Sequence, residues 1–149
     1  MTLYTFKLGL AFFWSIWLLM VFLTNLFEGL KILRIVPPYW KFASQNYQAV
    51  AQATGTYQTP PWVPQLLFFG VLVWQVGTLV LFGRALVCSF DNGALAFGPL
   101  NAAFASSLSL LAAFMIADEI FKLYDLERAH TLFFIAQLVT LLALHVLPA

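Results

Sequence analysis

Charge is scarce in this chain. Asp, Glu, Lys and Arg make up 9% of its 149 residues, against about a quarter in an ordinary soluble domain. Lys and Arg number 7 and Asp and Glu 6, for a formal net charge of +1. No basic field exists to attract nucleic acid, and no nucleic-acid motif is present. Cysteine is nearly absent. The single Cys88 cannot close an internal disulfide and reads as a small apolar residue at a helix end. Also missing are a Gly-rich phosphate loop, a His-x-x-x-His pair, a Cys-His cluster and any readable Ser/His/Asp order. The two histidines, His130 and His145, would stand about 22 Å apart on one helix, too far to ligate one haem iron. Neither metal, cofactor nor catalytic constellation is expected.

Hydrophobicity is what the chain has, at 62% of residues. A water-exposed surface of this composition would aggregate, whereas lipid accepts it. A membrane span needs about 20 predominantly apolar residues to cross about 30 Å of hydrocarbon. Four segments meet or approach this: 8–27, 66–87, 99–121 and 131–147. In lipid every backbone N–H and C=O must be paired inside the protein, which a helix does locally. The runs are continuous rather than alternating, which excludes a barrel of about ten-residue strands. The sequence therefore predicts a single all-α domain, a four-helix transmembrane bundle. The run after Lys7 exceeds a signal-peptide core of about 7–15 residues and lacks a cleavage pattern, so it reads as a retained span.

Asp91-Asn92-Gly93 marks a short turn after the second span, and 122–128 a tight charged turn after the third. Short turns make antiparallel neighbours. The connection between spans one and two, from Glu28 to Pro64, is long. Lys31, Arg34 and Lys41 lie in its front part with Pro37-Pro38-Tyr39-Trp40, and it closes on Pro60-Pro61-Trp62-Val63-Pro64. Such a segment suits the membrane surface, with aromatic rings at headgroup depth. Four spans put both termini on one side. Lys7 and Arg84 fall there, against Lys31, Arg34, Lys41, Lys122 and Arg128 opposite, so the positive-inside bias assigns the long connection to the cytoplasm.

Few polar residues lie in the spans. Gln75 and Thr78 sit mid-span in the second, Gln137 and Thr140 in the fourth. An amide in hydrocarbon without a partner costs several kcal/mol, so Gln75 and Gln137 are expected to face inward and be hydrogen-bonded. Span three is rich in Ala and Ser, which let helices approach closely, and is expected to be central. Asp118-Glu119 closes it, beside Lys122, Asp125, Glu127, Arg128 and His130. Acids at membrane depth are costly and usually functional, while an interfacial belt of helically spaced ion pairs is the plainer reading. Glu119 extends the stripe Ala105, Ser109, Ala112, Ile116. It is therefore expected to be the buried acid, bonded to Asn25 or His130, with Asp118 turned outward.

Asn25-Leu26-Phe27-Glu28, Asn101-Ala102-Ala103 and Glu119-Ile120-Phe121, with the order and spacing of the spans, resemble an uncharacterised bacterial family of predicted small integral membrane proteins. The chain departs from that pattern around the acid, where Asp118 and Ile120 stand in place of Gly and Trp. The resemblance implies a four-span protein of the bacterial inner membrane and no catalytic activity. The expected role is a non-catalytic subunit or accessory factor, with other membrane subunits or a second copy as partners beside the bilayer. Alternatives are a homo-oligomeric transporter or proton pathway, and an interfacial enzyme acting on a lipid or quinone. The polar residues available to any of these are Glu119, Asp118, His130, Asn25, Glu28, Gln75 and Gln137.

Overall fold

A computed structural model describes residues 2–148. Among these the chain is all-helical: α1 Leu3–Ile32, α2 Asn46–Gly55, α3 Trp62–Asn92, α4 Phe97–Phe121 and α5 Tyr124–Val146. All but α2 are long and apolar enough to cross a membrane. The chain has the architecture of a multi-pass α-helical membrane protein.

The helices overrun the apolar segments that announce them. α1 takes in Lys7, Glu28 and Lys31, because helix formation does not stop where hydrophobicity does. At 30 residues it is about 45 Å long, so its terminal turns reach past about 30 Å of hydrocarbon or the helix tilts. Pro64 and Pro99 each occupy the third position of a helix, where no intrahelical N–H bond is lost.

Three helices stop in the same way. Arg34, Gln58 and Lys122 adopt positive φ (59°, 52° and 57°). At each, two N–H groups turn back to the last helical turn: Ile35 to Leu30 and Arg34 to Lys31, Thr59 to Thr54 and Gln58 to Gly55, Leu123 to Asp118 and Lys122 to Glu119. This is the Schellman arrangement, usually built on glycine. Glycine appears only after α3, as Gly93 (φ 62°).

The chain divides into two compact units, residues 1–17 with 77–149, and residues 18–76. In the first, pieces of all four long helices pack together. Tyr4 Oη donates to the Ser89 carbonyl at 2.7 Å, and Lys7 Nζ to the Leu147 carbonyl at 2.7 Å. Trp14 Nε1 donates to Thr140 Oγ1 at 3.1 Å, and Thr78 pairs with Ser106 at 2.7 Å. Phe82 and Phe104 meet edge to face at 5.3 Å. These ties place the first turns of α1, the end of α3, the start of α4 and the end of α5 at one end of the unit, as an even number of spans requires.

In the second unit the long connection is more ordered than a surface strip. Trp40 stacks on Phe27 at 5.5 Å, and Phe42 meets the same ring at 5.6 Å. Tyr47 of α2 meets Phe68 of α3 at 5.6 Å. Tyr39 and Trp62 remain exposed, in keeping with headgroup depth. The helix α2 was not expected. Its Ala and Gln residues are good helix formers, but they carry no apolar period to announce it.

Candidate polar sites

Two groups of polar side chains are assembled, one in each unit. The site in residues 18–76 begins with α1, where Asn25 and Glu28 stand three residues apart and so share a face. Both are buried, Glu28 being 4% exposed. The chain then turns back, and the Ser44 N–H donates to the Thr24 carbonyl at 3.0 Å. That bond sets Ser44 beside Glu28, whose Oε2 accepts the Ser44 hydroxyl. Ser44 Oγ in turn accepts the Asn46 N–H at 3.4 Å. Asn46 Nδ2 donates to Asn25 Oδ1 at 2.7 Å, and Asn25 Nδ2 to Gln75 Oε1 of α3 at 3.3 Å. Asn25, Glu28 and Gln75, singled out in the sequence, are thus brought together. Ser44 and Asn46 were missed. Their signal is a Ser-x-Asn opening an Ala/Gln-rich stretch, a helix-start pattern.

The second site joins α4 to α5. Asp118 Oδ2 lies 2.5 Å from His130 Nδ1. The Phe114 ring covers the imidazole at 4.9 Å and 30°. An ionised carboxylate only accepts, so Nδ1 is the protonated nitrogen in that state. Asp118 is buried at 4% exposure while Glu119 is exposed, which reverses the expectation. The inward face of α4 is Leu100, Ala103, Phe104, Ser107, Leu110, Leu111 and Asp118. Bulky Leu100, Phe104, Leu110 and Leu111 share this face with Ala103 and Ser107, and the heptad Phe104–Leu111–Asp118 carries the acid inward. Asn25, the other partner suggested for the buried acid, belongs to the first site.

Gln137 lies seven positions beyond His130, on the same face of α5. It is wholly buried at 0% exposure, and neither amide atom has a hydrogen-bond partner among the described residues. The expectation for Gln75 holds in full, and for Gln137 only in its burial. Thr140, one turn on, bonds the Ala136 carbonyl and Trp14 instead.

His145 is held apart from His130. It bonds Asn101 Oδ1 at 2.8 Å and packs on Phe97 at 4.7 Å. Among the described residues no three His, Cys, Asp or Glu side chains gather as a metal site.

Fold and sites together define a multi-pass helical membrane protein with two small buried polar centres, each built around one carboxylate. No family model, no curated protein and no solved structure matches the chain.

Proposed function

We propose that the chain is a non-catalytic component of a membrane assembly, made with other subunits or further copies of itself, in the bacterial inner membrane. One observation carries this reading. Ala102, Ala105, Ser109 and Ala113 of α4 are all exposed. Spaced three and four apart, they form one narrow stripe. Small residues on a lipid-facing helix allow another helix to approach closely, which is how association proceeds in lipid. The polar interior supports the same reading, since Lys7, Trp14 and Thr78 each tie one helix to another rather than lining a chamber.

The test is bulk on the stripe. Ala105→Leu with Ala113→Leu is expected to lower the native mass of the protein purified in mild detergent, by loss of a partner or of a second copy. The thermal midpoint of the isolated chain is expected to stay unchanged. An assembly indifferent to both substitutions, or a monomer from the outset, overturns the proposal.

The Asp118–His130 pair favours a second reading, a proton-carrying component. A buried acid and an imidazole 2.5 Å apart exchange a proton readily, and ionisable groups at membrane depth mark proton paths. Proton flux into liposomes that Asp118→Asn abolishes would decide for it. Flux identical in the variant would decide against it.

A further inference from the structure

We propose that Glu28, with the polar side chains joined to it through Ser44, is a binding site for a small hard monovalent cation of the sodium class. Glu28 is the one acidic residue between positions 18 and 76, and it is 4% exposed. Among the described residues its carboxylate has one hydrogen-bond partner, the Ser44 hydroxyl, and no ion pair. Lys31, one turn further along α1, is not bonded to it, and Arg34 and Lys41 are exposed. A buried carboxylate held by a single hydroxyl is left with most of its charge uncompensated, a costly state unless a positive charge joins it.

The side chains joined to Glu28 by hydrogen bonds through Ser44 and Asn46 carry oxygen donors of the kind hard cations take. They are Ser44 Oγ, Asn25 Oδ1 and Gln75 Oε1. Each amide oxygen accepts a single hydrogen bond here, from Asn46 and from Asn25 respectively. A carbonyl oxygen has two lone pairs, so each keeps one free. Asn46, Asn25 and Gln75 are joined side chain to side chain in that order, so each amide brings an oxygen into the cluster. One carboxylate among neutral oxygens matches a single positive charge. The absence of thiolate, imidazole and a second carboxylate from the cluster disfavours transition metals and calcium. Access lies on the side of Gln45 and Asn46, which are exposed, while Gln75 closes the inner side at 2% exposure.

A cation that binds the folded state alone stabilises it by mass action. The experiment follows the thermal midpoint of the whole protein in detergent at fixed pH. Sodium chloride replaces choline chloride at constant ionic strength, with potassium and lithium as separate arms. Sodium is expected to raise the midpoint by about 8 °C once it stands a hundredfold above its dissociation constant. Glu28→Gln, which keeps the size and a partner for Ser44, should remove that response, Ser44→Ala should weaken it, and Asp118→Asn should leave it intact. Broadening of the sodium-23 resonance by the wild-type protein, reversed by lithium, reads the same site without any variant. A wild-type midpoint insensitive to all three cations, with an infrared carboxylic-acid band that Glu28→Gln removes, overturns the proposal. The occupant would then be a proton. A sodium response that survives in Glu28→Gln overturns it as well.

Discussion

Gln137 carries two polar atoms into the interior of its unit and bonds neither. A buried donor or acceptor without a partner costs about 1–3 kcal/mol, so its removal should stabilise. Gln137→Leu is expected to raise the thermal midpoint of the purified protein, with Gln137→Met close behind. A fall in both would mean that the amide contributes an interaction of its own. The acidic pair at the end of α4 gives the opposite contrast. Asp118→Ala strips His130 Nδ1 of its partner and should cost about 2 kcal/mol, while Glu119→Ala, on an exposed site, should stay within about 0.5 kcal/mol. Chemical denaturation of the two variants side by side checks this. Equal losses would remove the distinction between the acids. The sequence made it legible that one acid would be buried and that His130 was a candidate partner. Which acid was not legible, because the choice turned on which stripe of α4 faces inward. Ala105, Ser109 and Ala112, with Ile116, suggested a packed face that Glu119 would continue. Phe104 and Leu111, far larger, gain more from burial and took the interior.

At the scale of the helix, the ends of α1, α2 and α4 share one device, a long polar side chain at positive φ. Left-handed backbone costs an L-residue about 1–2 kcal/mol and glycine almost nothing. Lys122→Gly should therefore stabilise the α4–α5 junction by about 1 kcal/mol, read as a rise in thermal midpoint. A drop would show that the Lys122 side chain contributes more than its backbone strain removes. The four long helices were readable because about 20 apolar residues admit few alternatives in lipid. Their ends were not. α1 starts five residues before its apolar run and ends five after it, since Lys7 finds the Leu147 carbonyl and Glu28 finds Ser44. The short α2 went unread for a different reason. Its sequence, NYQAVAQATG, is neither apolar enough to be a span nor periodic enough to mark a face. What places it is tertiary: Tyr47 against Phe68, and Asn46 against Asn25.

Four crossings fix the sidedness of every connection. A reporter inserted after Gly93 should lie on the same side as one fused after residue 148, and one inserted between Lys122 and Leu123 on the other. Matching signals from Gly93 and Lys122 would break the count of spans. Within the unit formed by 1–17 and 77–149, Tyr4 with Ser89 and Lys7 with Leu147 already hold the first and last long helices and the end of α3 at one end. The bias of Lys31, Arg34, Lys41, Lys122 and Arg128 over Lys7 and Arg84 predicts the long connection on the cytoplasmic side, and the same reporters test it.

The tie between Lys7 and Leu147 also has a meaning in time. Lys7 is 4% exposed, and its ammonium rests on the carbonyl end of α5 and near the Phe97 ring, where the helix dipole favours a cation. During synthesis α1 emerges well before α5, with α2, α3 and α4 between them. Until then the Lys7 charge lacks its acceptor and must stay in the headgroup layer. The seating of α1 is thus tied to a helix made more than a hundred residues later, and a chain stalled before α5 would hold a Lys7 ammonium without its acceptor.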